Sequence, residues 1–218
     1  MSERRTYQRR EQEPQHVEQQ DAERRTISAD FTDAVLAGQH YTRTDFSHCD
    51  FTEADLRGIS TKACTFTECE FTRTDLGESS HTATAFRSCH FDRAVLAEST
   101  FTACSLLGSI LAHTRLRPIR IVDTDLTLVG LSGADLRRTV LHGLRFREAN
   151  LVDTDLRDSV LTEADFSGAR LSGTKLAGAD LRGATLDADG LAAAQLRGAR
   201  VDALTALAFA AAHGLIVD

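Results

Sequence analysis

From Phe31 to Val201 a bulky apolar residue returns at every fifth position without a slip of phase. Phe31, Leu36, Tyr41, Phe46, Phe51 and Leu56 open the series, and Leu176, Leu181, Leu186, Leu191, Leu196 and Val201 close it. Only Thr61 and His81 depart from it. A strand alternates with period 2 and a helix with period 3.6, so a sustained period of five belongs to neither. It predicts a solenoid, in which each short unit buries its apolar residue against copies of itself in neighbouring coils.

The flanking positions are patterned too. Taking the apolar residue as the centre, the position two before it is almost always small: Ala, Ser, Thr or Cys. The position one before is often Asp, and the position two after is Gly or charged, as in Ala54-Asp55-Leu56-Arg57-Gly58 and Ala179-Asp180-Leu181-Arg182-Gly183. With the centre and the small residue inward and the other three outward, the chain makes a thin filled column that turns at the glycines. A second period appears at twenty residues: Phe31, Phe51, Phe71 and Phe91; Phe46, Phe66 and Phe86; Leu36, Leu56, Leu76 and Leu96. Four sides of five residues have that period.

Over residues 29–202 this pattern resembles the pentapeptide-repeat family. The resemblance implies an all-β solenoid, a right-handed quadrilateral β-helix with four pentapeptides per coil. At the usual inter-strand spacing its coils, about nine of them, form a rod roughly 40 Å long whose ends need caps.

Both departures fall on one side, since Tyr41, Thr61 and His81 are twenty apart. Ile59 takes the small position before Thr61 and can refill its lost volume. His81 reads as a packed core histidine rather than a ligand or base. Between His113 and Leu131 the phase holds but the pattern loosens. Pro118 cannot donate a ladder hydrogen bond, and Ile119 and Val129 fill positions that are otherwise small. A distortion or a change of turn type is expected there, flanked by Arg115, Arg117 and Arg120.

The two ends differ from the middle. Residues 1–28 hold arginines and acids in equal number with almost no apolar residue, which predicts a disordered or loosely helical extension. At the other end, Asp202 is a candidate N-cap for a helix over Ala203 to His213, with Gly214 as its stop, so that residues 203–218 form a short C-terminal α-helical unit. Leu204, Leu207, Ala208 and Ala211 share one helix face, and Phe209, Leu215 and Ile216 add apolar surface. A cap on the last coil and a contact with a second copy both use these residues, and both readings stay open.

Composition narrows the function classes. The 218 residues include no Trp, so the core must be narrow and built from Leu, Phe and small residues. No window approaches the ~18 apolar residues of a membrane helix, and the polar start has no apolar leader pattern; a cytoplasmic protein without membrane contact is expected. The formal net charge of −7 disfavours nucleic-acid binding, which draws its affinity from Lys and Arg on phosphates. The five cysteines, Cys49, Cys64, Cys69, Cys89 and Cys104, all sit two before a centre. Their spacing is that of the repeat and not of a C-x-x-C metal site, so no metal site is expected. No Ser-His-Asp or Cys-His arrangement and no phosphate-cradling Gly-rich loop stands out. The reading is of a non-enzyme without a cofactor.

Charge becomes informative once sorted by side. In residues 29–110 acids outnumber bases two to one. The first side, centred on Phe31 through Phe91, carries Asp30, Asp33, Asp50, Glu53, Glu70 and Asp92; the second, centred on Leu36 through Leu96, carries Asp55, Asp75, Glu78 and Glu98. The third side, from Tyr41 to Phe101, has no acid, only Arg43 and Lys62. Further along, Asp135, Asp153, Asp155 and Asp158 continue the acidic sides. Taken singly, such an Asp can simply cap its turn. Together they make rows of carboxylates about as wide as a nucleic-acid backbone, suited to the basic groove of a DNA-binding protein.

Several segments not required by the bare repeat narrow the resemblance. They are Gly77-Glu78-Ser79-Ser80-His81 leading to Phe86-Arg87, Arg115-Leu116-Arg117-Pro118, Asp125-Leu126-Thr127-Leu128, Leu151-Val152-Asp153-Thr154-Asp155-Leu156-Arg157, and Ala208-Phe209-Ala210-Ala211-Ala212-His213-Gly214-Leu215. They are similar to the mycobacterial branch of the family tied to fluoroquinolone resistance, and less closely to the Qnr branch. That resemblance implies a dimeric DNA mimic that binds DNA gyrase and inhibits it or shields it from quinolones. It places homodimer contacts in residues 203–217, hence on Leu204, Leu207, Ala208, Phe209, Ala211 and Leu215. Two departures stand: about one extra coil with the charged extension at the start, and no long loops projecting between coils. The alternative is a scaffold module for another basic protein.

Overall fold

The computed structural model describes residues 25–216. The expected extension lies outside the described residues as far as residue 24; its last part does not. Arg25–Ile27 form strand β1, paired in parallel with β3 (Thr44–Ser47), so Ile27 stands over Phe46 one residue out of the twenty-residue register. The first coil therefore starts a few residues before the periodicity marks it.

From there the chain winds as a parallel β-solenoid. One sheet on the fourth side runs β1, β3, β5 (Thr65–Thr67), β7 (Ala85–Arg87). Another on the third side runs β2 (His40–Thr42), β4 (Ser60–Lys62), β6 (Ser80–Thr82), β8 (Thr100–Thr102), β9 (Arg120–Val122). Every later pairing joins residues twenty apart. Single parallel bridges at the position before each centre carry that register from Asp30↔Asp50 to Asp180↔Arg200.

The centres and the small residues two before them form the buried core. Phe31, Phe51, Phe71 and Phe91 stack at 4.9, 5.0 and 4.7 Å between ring centroids. Phe46, Phe66 and Phe86 stack at 4.6 and 4.8 Å and meet the first column edge-on. Polar residues at the small position donate to the carbonyl of the centre one coil back: Thr74 Oγ1 to Phe51 O and Thr114 Oγ1 to Phe91 O, both 2.7 Å. Cys69 and Cys89 make the weaker thiol version at 3.5 Å. All five cysteines are buried and free; the contact with Cys89, together with burial, holds the Cys69 thiol well above its ordinary pKa.

The corner is the residue two after each centre. It has positive φ throughout, whether Gly or not, from Asp33 at 57° and Glu78 at 59° to Gly183 at 72°. The exceptions are Pro118, Ala188, Ala193 and Ala203, and each marks a local change. At Pro118, which follows a cis peptide bond, the corner conformation is lost and Ile119 and Ile121 are only part-buried, as the loosened pattern predicted. A narrow apolar void lined by residues including Leu96, Phe101, Leu116, Ile121 and Leu126 lies beside it.

The chain at Ala188–Ala193, expected to be another repeat, forms the short helix α1, with Leu191 still buried. The position two before Leu191 is Asp189. A carboxylate cannot fill the inward slot without a large desolvation cost, and the helical turn leaves it exposed. The second helix, α2 (Ala203–Ala212), is the expected one. The Asp202 carboxylate accepts from Thr205 N at 2.8 Å, and Gly214 at φ 72° ends it with Leu215 N donating to Ala210 O.

Candidate functional site

The two irregular centres form one cluster inside the rod. Thr61 Oγ1 is 2.8 Å from His81 Nδ1 and 2.9 Å from Thr84 Oγ1; His81 Nε2 is 3.0 Å from Ser79 Oγ, which bonds Ser99 Oγ at 3.1 Å. His81 is buried and its pKa is pushed down to about 3 by desolvation, so it is neutral at physiological pH. With both ring nitrogens occupied by core hydroxyls, it is a packing residue with polar partners. Among the described residues no group of three His, Cys, Asp or Glu side chains is arranged to hold a metal ion.

The charged outer positions are the candidate site, and the corner geometry places them. On the first side Asp30, Asp50, Glu70 and His90 stand in register one above another. At about 4.8 Å between coils, like charges so stacked repel unless the local turn engages them. Asp30 accepts from Thr32 N at 2.9 Å and Asp50 from Thr52 N at 2.8 Å, while Glu70 bonds the Thr72 hydroxyl. His90 Nδ1 lies 3.3 Å from Glu70, and His113 Nδ1 lies 2.9 Å from Asp92, whose pKa it lowers. Glu53 pairs with Arg73 across one coil.

On the second side Asp75 accepts from Gly77 N at 2.9 Å, and Glu78 and Glu98 project from corners. Among the described residues Asp30, Asp33, Asp50, Asp75, Glu78 and Glu98 have no ion pair with Lys or Arg.

Asp55 is different. Arg57 folds back on it, with Nε 2.9 Å from Oδ1 and Nη2 2.6 Å from Oδ2, and holds its carboxyl down to a pKa of about 2. The same fork recurs at Asp135–Arg137, Asp155–Arg157 and Asp180–Arg182. Arg117 also reaches Asp135 at 3.2 Å, Arg137 reaches Asp155 at 3.6 Å, and Arg138 lies 3.9 Å from Asp158. Asp135, Asp155 and Asp158 therefore stand in the expected columns, but each is partnered by arginine. Asp153 has no ion pair among the described residues; it leans along the rod, where a side chain on Gly173 would meet its carboxylate. The forks had a sequence signal: Asp one before and Arg one after a centre, as in Asp55-Leu56-Arg57 and Asp135-Leu136-Arg137. A bidentate guanidinium–carboxylate pair spans that two-residue step.

At the far end α2 packs against α1. Thr205 is buried beneath it, and Ala208 and Phe209 are half-buried. Leu204, Leu207, Ala211 and Leu215 face outward, with Leu204 at 78% and Leu207 at 46% exposure, and Ile216 is exposed beside them. The helix thus caps the last coil with one face and leaves an apolar face open.

A parallel solenoid with a five-residue unit, inward centres and positive-φ corners defines a pentapeptide-repeat protein. The chain belongs to that family: its model, "Pentapeptide repeats", matches in 8 copies over residues 29–60, 124–163, 149–187 and 164–201. No curated protein matches the sequence significantly. Among solved structures, a trypsin-treated variant of QnrB1, a plasmid-mediated fluoroquinolone resistance protein, superposes with TM-score 0.70 at 20% identity over 89% of this chain and 98% of that one. Full-length QnrB1 gives 0.61 at 17% identity over 87% and 100%. At these identities the likeness is one of fold. No helix among the described residues is long and apolar enough to cross a membrane.

Proposed function

We propose that this protein is a DNA mimic that binds DNA gyrase in the cytoplasm, inhibiting it or protecting it from quinolone-type inhibitors, and that it works as a homodimer joined through α2. The observation that carries this reading is the pair of adjacent acidic sides over residues 30–98, next to a third side that carries no acid. Carboxylates locked in register along a rod offer a basic groove a fixed row of negative charge, as a nucleic-acid backbone does. The QnrB1-like fold and the resemblance to gyrase-binding relatives support the choice of partner. The open apolar face on Leu204, Leu207 and Leu215 supports the two-fold contact.

Supercoiling by purified gyrase is titrated with the wild-type protein and with Asp50→Asn/Asp75→Asn/Glu78→Gln/Glu98→Gln. The wild type should inhibit supercoiling or restore it in the presence of a quinolone, and the variant should need at least tenfold more protein. A wild type with neither effect removes the gyrase reading. For the dimer, Leu207→Asp should halve the mass measured by light scattering, and a wild type that is already monomeric removes that claim.

A further inference from the structure

The second side of the rod changes sign along its length. In the coils centred on Leu56, Leu76 and Leu96 its outward charges are the Asp55–Arg57 fork together with Asp75, Glu78 and Glu98, the last three with no ion pair among the described residues, so that half is net acidic. In the coils centred on Leu116, Leu136 and Leu156 it carries Arg115, Arg117, Arg137, Arg138 and Arg157, against Asp135, Asp155 and Asp158. Arg117, Arg137 and Arg157 hold the same position in three successive coils. Asp135 and Asp155 link them into a chain, with contacts of 3.2, 2.6, 3.6 and 2.6 Å. The guanidiniums are fixed in place, yet each has five N–H donors and these pairs do not use them all.

Spacing selects what such a row can meet. The arginines repeat with the coil, about every 4.8 Å. A DNA strand presents a phosphate about every 3.4 Å along its axis and falls out of step within a few coils. A row of carboxylates on another solenoid of the same pitch stays in step.

We propose that two copies of this chain pair side by side and antiparallel through this second side, the acidic half of each lying on the arginine half of the other. A two-fold axis crossing the side between the Leu96 and Leu116 coils sets Leu96 opposite Leu116, Leu76 opposite Leu136 and Leu56 opposite Leu156. Glu98 then meets the Arg117–Pro118 corner, and Glu78 meets Arg138. The contact is isologous, each residue pair occurring twice. Gly77 and Ala97, between the acids, have little or no side chain, so the acidic strip is low enough for arginines to reach. The contact covers one side of a slender rod, less than the roughly 800 Å² per partner of a stable interface. The pairing is therefore weak, electrostatic and salt-sensitive. It covers Asp75, Glu78 and Glu98, so it competes with any basic partner that uses those acids, and it does not depend on that partner being gyrase.

The test uses the full chain alone, with mass followed by sedimentation velocity. Lowering the salt from about 500 mM to about 20 mM, which lengthens the screening distance several-fold, should at least double the wild-type mass; a C-terminal apolar contact does not have this dependence. Arg117→Glu/Arg138→Glu and Glu78→Lys/Glu98→Lys should each lose the low-salt increase. An equal mixture of the two variants should regain it, because in the mixed pair one half of the contact keeps its native signs and the other half is restored with its signs exchanged. Three outcomes overturn the proposal: a wild-type mass independent of salt, a mixture that does not regain the increase, or a labelled DNA duplex that binds the wild type at low salt while the mass of the protein alone does not rise.

Discussion

The coils from Phe31 to Phe101 and those from Leu106 to Leu186 share one register but use it differently. In the first region two sides run as extended strands, two phenylalanine columns stack through the core, and many corners are side-chain-bearing residues held at positive φ, including Glu53, Glu78 and Glu98. In the second region, past β9, strands give way to isolated bridges and hydrogen-bonded turns on all sides, such as Ala134 N to Leu131 O and Ala169 N to Phe166 O. There leucine fills most of the core, and glycine takes many corners, among them Gly133, Gly143, Gly173 and Gly183. A left-handed corner costs a residue with a Cβ about 1 kcal/mol that glycine avoids. The first region accepts that cost at most of its corners, among them the carboxylate-bearing Glu53, Glu78 and Glu98. The second region avoids it at its glycine corners but still accepts it at Asp153, Asp158 and Glu163, and it pairs Asp135 and Asp155 with arginine forks. Both halves keep an apolar centre inward; the ring stacking, the corner residues and the outward charges are what differ.

Four sets of substitutions or titrations probe the two halves, in decreasing order of effect. Phe66→Ala removes a ring held between Phe46 and Phe86 and should cost about 3–5 kcal/mol in urea unfolding, towards the upper end because stacking is lost along with volume. Leu136→Ala should cost about 2–5 kcal/mol; if it equals or exceeds Phe66→Ala, the stacked columns are not what distinguishes the first region. His81→Leu takes one of two hydrogen-bond partners from each of the buried hydroxyls of Thr61 and Ser79, which keep Thr84 and Ser99, and should cost about 1–3 kcal/mol. Combining it with Thr61→Val should cost clearly less than the sum of the two single changes, as read by a double-mutant cycle.

The corners should respond in opposite directions. Ala83→Gly, at φ 49°, should stabilise by up to about 1 kcal/mol. Gly143→Ala, where an added Cβ meets nothing within 4 Å, should destabilise by about the same amount. Equal signs would contradict a conformational cause.

The smallest effect is in the arginine forks. Asp55 and Asp180 have folded-state pKa values of about 2, below the unfolded value. Their contribution to stability is therefore complete above the unfolded carboxylate pKa near 4. It is lost as pH falls from there through about 2. Carboxyl NMR titration should find both midpoints near 2, and Arg57→Ala should raise that of Asp55 alone. An unmoved Asp55 would show that the backbone amide, not the guanidinium, holds it.

Several features had a sequence signal and several did not. The forks were present as Asp-Leu-Arg, but a charge count by column treats Asp55 and Asp75 alike, and only the folded side chains separate them. The twenty-residue period put Thr61 and His81 on one side, but that their side chains bond each other, with Ser79 and Thr84, appears only in the folded core. The helix at Ala188–Ala193 was masked by Leu191, which keeps the phase, although Asp189 in an inward slot marked it. The start at Arg25 was hidden because β1 pairs at an offset of nineteen, outside the period.

By itself the sequence determined the solenoid, its four sides, the buried cysteines and the capped terminal helix. Each of these follows from local residue size and corner geometry repeated many times, so small errors do not accumulate. The tertiary structure alone decided which carboxylates remain without an arginine, which hydroxyls His81 binds and which face of α2 stays open. The forks depend on which side chains fold back within a coil, and the others on contacts between coils and helices, where residues distant in the chain come within reach.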